Sequence, residues 1–129
     1  MTHDEFIESF YYVLERTIVL SHKARTEGLL ALEEMLDLEK ADNRDIFEYG
    51  LRFVIDGTDS IFINDILSNI IKQEKDENMR LIKTIQLEAI LSIQAGDNPR
   101  ITACKLNSFT EIPLSDPRYK KILGDYSLL

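Results

Sequence analysis

The chain has 129 residues, a formal net charge of −8, a pI near 4.7 and a single cysteine. An acidic surface of this kind repels phosphate backbones and anionic headgroups, so nucleic acid and direct membrane insertion are not expected. One cysteine excludes an internal disulfide, and 44% apolar residues with few Gly and Pro argue for one helical domain, 1–129, with a core of its own.

In chain order, Phe6, Phe10, Val13 or Leu14, and Ile18 recur at spacings of three to four and continue through Leu29, Leu32 and Leu36. This period predicts one long helix over about Asp4 to Leu38, with Thr2 or Asp4 as its N-cap and Glu5 well placed in the first turn. The charges Glu8, Glu15 and Arg16 interrupt its apolar run, which reads as an amphipathic stretch and not a membrane span. Gly28 falls inside this predicted helix. It is read either as a tolerated weakness or as a point of close approach by another helix.

Asp37 to Asn43 reads as a connector. Asn43 is a candidate cap for a second helix, Arg44 to about Ile55, which Gly57 stops. Thr58, Asp59 or Ser60 then opens a third helix carrying Phe62, Ile63, Ile66, Leu67, Ile70 and Ile71. Residues 72–78 contain no apolar side chain, but neither Pro nor Gly breaks them. A continuous or slightly kinked helix is expected to cross this gap and to resume its apolar period from Met79 to Ile93. Gly96 ends it. Asn98 and Pro99 are a cap and an N1 proline for a fourth helix reaching about Phe109. Its inner face would be lined by Ile101, Leu106 and either Cys104 or the stem of Lys105. Asp116-Pro117 repeats the cap signal and opens a short helical turn to Leu123, which Gly124 stops. A tail from Asp125 to Leu129 follows. The expected fold is all-α: a bundle of about four helices with long first and third members and an irregular C-terminal tail.

Three runs in series carry a resemblance. They are Ala24-Arg25-Thr26-Glu27-Gly28-Leu29-Leu30-Ala31-Leu32-Glu33, Asp56-Gly57-Thr58-Asp59, and Ile93-Gln94-Ala95-Gly96-Asp97-Asn98-Pro99-Arg100. Together they resemble the cytoplasmic parts of MotA, the stator subunit of the bacterial flagellar motor. In that family, two transmembrane helices precede the first run and two more lie between the second and third. Nothing here is long and apolar enough to stand for them, and 72–78 falls at the splice.

The resemblance implies a cytoplasmic module near the flagellar base. In this family, charged residues of the cytoplasmic region engage the rotor's switch protein, FliG. By motif matching those residues are Arg25 and Glu33. On one continuous helix they would lie roughly 12 Å apart along the axis and roughly 80° apart around it, too far to pair with each other. Composition alone reads the same two side chains as a solvated helix face. Arg100 in a first helical turn opposes the macrodipole and is expected to pair with a carboxylate. Cys104 is expected to be a small buried residue. His3 and His22 lack neighbours at metal-ligand spacing. No nucleophile, phosphate loop, metal or cofactor motif is present, so the expected protein is not an enzyme. The competing reading is a self-associating scaffold or adaptor that binds partners through apolar helix faces.

Overall fold

A computed structural model describes residues Met1–Leu129 as six α-helices and two 3-10 segments, with no strand. The helices are α1 (His3–Glu27), α2 (Ile46–Ile55), α3 (Ser60–Ile71), α4 (Glu77–Ala95), α5 (Pro99–Asn107) and α6 (Pro117–Asp125). The 3-10 segments, Leu29–Met35 and Leu38–Lys40, link α1 to α2. The all-α expectation holds, with more and shorter helices than four.

Each helix starts where its side-chain chemistry allows. Thr2 Oγ1 accepts from the Glu5 N–H at 3.1 Å while Glu5 Oε1 accepts from the Thr2 N–H at 2.9 Å, a reciprocal capping box for α1. Asp45, Asp59, Asp76, Asn98 and Asp116 cap α2 to α6 through side-chain oxygens, with Pro99 and Pro117 in the first turns of α5 and α6. The cap of α2 is Asp45 and not Asn43, so that helix begins at Ile46.

Three further boundaries depart from expectation. The first helix ends at Glu27, because Gly28 turns to φ +91 and an added Cβ there would meet no atom within 4 Å. Gly28 is therefore a backbone turn, not a packing contact. The gap at 72–78 is not helical throughout. Asp76 offers a second cap, its carboxylate accepting from the N–H groups of Asn78 and Met79, and α3 and α4 are separate helices joined by a tight turn. A polar gap without Gly or Pro still breaks when a strong N-cap follows it. At the other end, Gly124 does not stop α6, which runs on to Asp125. In the tail, Leu128 packs against the core while Leu129 stays exposed.

One cluster of 26 buried side chains draws on every α-helix. Phe10, Leu14 and Ile18 form the central stripe of α1, each 2% exposed or less. The α1 and α4 helices run side by side in the same direction. The Met1 ammonium pairs with Asp76, Asn78 Nδ2 donates to the Met1 carbonyl at 3.1 Å, and the opposite ends meet where Ser21 Oγ approaches the Asp97 carbonyl. The α2 helix crosses α4 at Gly50, where a Cβ would lie 2.9 Å from Ile90 Cγ1 and 3.0 Å from Leu67 Cδ1. The close approach expected at Gly28 thus belongs to Gly50. The α3 helix returns antiparallel along α4, and Gln94 Nε2 donates to the Thr58 carbonyl at 2.6 Å, fixing the α2–α3 joint to the end of α4. Lys105 ties α5 back to α4 through Ser92, Asp97 and Glu88. The α6 helix lies along α1, with Arg118 forked onto Glu8 and Tyr11 Oη donating to Asp116.

The inner face of α5 is Thr102, Ala103 and Leu106, so Ile101 (55% exposed) and Cys104 point to solvent, against expectation. Arg100 is exposed and has no carboxylate partner within 4 Å. No helix is long and apolar enough to cross a membrane.

Candidate partner-binding surface

The surface forms around the bend at Gly28. The last turn of α1 carries Arg25, and the Gly28 N–H still bonds the Ala24 carbonyl at 2.8 Å. Beyond Gly28 the chain folds back as the 3-10 segment Leu29–Met35, anchored by Leu32, which is fully buried. Glu33, next to that anchor, points outward. Because Gly28 interrupts the helix, the distance and angle expected between Arg25 and Glu33 on a continuous helix do not apply. What survives is their exposure and their lack of any ion-pair partner within 4 Å.

Their neighbours are committed elsewhere. Lys23 pairs with Glu34 and with Glu27, and these two carboxylates, Glu34 foremost, raise its pKa. Arg44 forks onto Asp42 and also donates to the Glu39 carbonyl at 2.8 Å. The segment is pinned from inside by an ion pair between a partly exposed arginine and a buried glutamate. Arg16 of α1 bonds Glu48 of α2, which is 3% exposed. The other oxygen of Glu48 accepts from the Asp37 N–H at 2.9 Å. The other arm of Arg16 donates to the Met35 carbonyl at 3.2 Å, and its guanidinium stacks 4.9 Å from the centre of the Phe47 ring. Each polar group of this cluster thus has a partner, as a buried charge requires.

Sequence reasoning missed this pair. Its trace is visible in the chain: Arg16 sits inside the run Val13-Leu14-x-x-Thr17-Ile18, and Glu48 sits inside Ile46-Phe47-x-x-x-Leu51. Ionisable residues at core-facing phases of two separate helices are the signal for a buried pair.

The result is a rim that carries the unpaired charges Arg25, Glu33 and Glu39 and two leucines, Leu30 and Leu38, exposed at 73% and 65%. Such a rim can contact a protein surface of mixed charge. No three His, Cys, Asp or Glu side chains converge as metal ligands.

No family model and no solved structure matches the chain. Over 80 residues it is 32% identical to Motility protein A of Treponema phagedenis, a stretch that takes in 62% of this chain and 30% of that protein. Over that stretch the chain is related to a MotA-type motility protein, of which it spans less than a third.

Proposed function

We propose that this protein is a non-enzymatic, cytoplasmic motility module that binds the flagellar rotor's switch protein, or a partner in its assembly, through Arg25 and Glu33. The observation that carries this reading is that these two charges, on the run that resembles MotA, are exposed and unpaired, while Lys23, Arg16 and Arg44 are held in ion pairs. Exposed charges of this kind set encounter rate and specificity more than raw affinity. In this reading the module conducts no ions itself; no helix of the chain is long and apolar enough to cross a membrane. It occupies the stator-facing side of the rotor as a spacer, brake or placement factor.

Two places fit this reading. The family's membrane helices precede α1 and lie between α3 and α4. Here the start of α1 and the α3–α4 turn sit together at one pole, joined through Met1, Asp76 and Asn78. Arg25 lies at the far end of α1.

The test is co-sedimentation with the rotor switch protein at low salt, using Arg25→Glu and Glu33→Lys. Each reversal is expected to weaken binding, and raising the salt is expected to weaken it for the unaltered chain. Binding indifferent to both reversals overturns the assignment.

A further inference from the structure

The α3 helix is more apolar than its place in the fold requires. Ile63, Leu67 and Ile71, spaced by four, are buried against α4 and α2. One residue earlier in each turn runs a second ridge, Phe62, Ile66 and Ile70. A step of one residue rotates about 100° around the helix, so this ridge lies beside the buried one. The fold covers it only in part: Ile66 and Ile70 are half-buried, and Phe62 is 60% exposed. Ile61, 67% exposed, extends the apolar surface across the first turn. A ridge of residues four apart is the element that packs into the groove of a second helix.

The charge around the Phe62–Ile66 half of this ridge is acidic, and the exposed Lys72 follows only at the far end of α3. From Asp56 to Ile71 the sequence holds Asp56, Asp59 and Asp65 and no Lys or Arg. All three carboxylates are exposed and none is in an ion pair. Asp59 also caps α3, accepting from the Ile61 N–H at 2.9 Å. On the helix, Asp65 falls between Ile61 and Phe62, one turn on. Arg52, four residues before Asp56 on α2, forms no bridge to Asp56, and Lys72, just past the last turn of α3, forms no bridge to Asp65.

We infer that the Phe62–Ile66 ridge of α3, with its border of Asp56, Asp59 and Asp65, is a docking surface for an amphipathic helix of a partner protein whose apolar face is edged by Lys or Arg. The border decides between occupants. A second copy packed Phe62 against Phe62 would set Asp59 and Asp65 beside their own counterparts, and like charges across an interface oppose association. An anionic membrane surface is repelled for the same reason. A basic-edged helix gains burial of Phe62 and Ile61 together with charge complementarity. This surface is built from residues other than Arg25 and Glu33, and the inference does not depend on the function assigned to them.

The experiment titrates the intact chain with a dye-labelled helical peptide that has a leucine face bordered by Lys on both edges. The same peptide with Glu borders serves as comparison, and backbone amide shifts locate the contact. The Lys-edged peptide is expected to bind at least roughly tenfold tighter than the Glu-edged one, a difference of about 1.4 kcal/mol. Shifts should centre on residues 56–70. Phe62→Ser and Asp65→Lys are each expected to weaken binding. These positions are exposed, so the variants are expected to keep the helical spectrum of the unaltered chain. Shifts centred elsewhere, equal affinity for the two peptides, or insensitivity to Phe62→Ser overturn the proposal. A dimer in sedimentation that Phe62→Ser dissolves assigns the ridge to a second copy. Phe62-dependent binding to phosphatidylglycerol vesicles assigns it to lipid. Either result overturns the partner-helix assignment.

Discussion

The α1 helix carries two arginines with opposite fates. Arg16 is drawn inward, bonded to a buried glutamate and to a backbone carbonyl and stacked on Phe47, whereas Arg25 stands free in solvent. Nine residues separate them, which is about half a rotation beyond whole turns, so they leave the helix on opposite faces. The glutamates divide the same way: Glu48 is buried and bonded at both oxygens, and Glu33 has no ionic partner. One residue chemistry thus does two jobs. The inner pair fixes the path of the segment after Gly28, and the outer charges ride on that segment without contributing to its stability.

The sharpest way to break this comparison is to cut the inner pair. Arg16→Met leaves the Glu48 carboxylate buried with only the Asp37 N–H for company and is expected to cost about 3–5 kcal/mol in denaturant unfolding. Glu48→Gln should cost less, because Arg16 is partly exposed and its guanidinium can reach water. By contrast Arg25→Glu and Glu33→Lys should each shift stability by less than about 1 kcal/mol. If reversing Arg25 or Glu33 destabilises the fold as much as cutting Arg16 does, the division of labour is wrong.

A smaller effect tests the scaffold under the inner pair. Gly50→Ala drives a methyl onto Ile90 and Leu67, both fully buried, and is expected to cost about 1–3 kcal/mol by overpacking. Leu67→Ala, costly by itself because Leu67 is fully buried, should cost less in the Gly50→Ala background than alone, because it removes one of the two neighbours the new methyl meets. Simple additivity of the two changes would locate the strain elsewhere.

The smallest effect concerns pH. Burial, and secondly the acceptor Asp116, push the Tyr11 phenol well above its ordinary value, while the same hydrogen bond, foremost, holds the Asp116 carboxyl below its own. A raised phenol contributes stability that is complete below its unfolded value near 10 and is lost as pH rises past it. A lowered carboxyl contributes stability that is present above its unfolded value near 3.8 and is lost as pH falls. Tyr11→Phe should therefore flatten both limbs of the stability profile, the acid one below about pH 4 and the alkaline one above about pH 10. Unchanged limbs would show that other groups set them.

Much of this was legible in the residues. The caps at Thr2, Asn98 and Asp116 and the stop at Gly96 follow from local chemistry, and the structure places them where that chemistry predicts. Exposure of Arg25 and Glu33 followed from the same amphipathic pattern. The errors share a cause: periodicity is blind to what ends a helix from outside it. The apolar spacing through Leu29, Leu32 and Leu36 continues across Gly28, since a 3-10 segment folded back on the core also buries a leucine every few residues. At 72–78 the period is silent, and the decisive feature is the Asp76 cap. Cys104 and Ile101 were misplaced by one position of helical phase, an error that a short helix with few apolar residues cannot correct. The ion pair of Arg16 with Glu48 joins residues distant in sequence, so the helical phase of each marks an inward charge but not which partner it meets.

The neighbouring positions of the α1 start and the α3–α4 turn have a practical reach. A polypeptide grafted ahead of Thr2 and another spliced in between Gln73 and Lys75 would emerge side by side, like two cables from one socket. Fluorophores at those two grafts should transfer energy efficiently in the folded protein, and that signal would report folding while the end bearing Arg25 stays bare for contact.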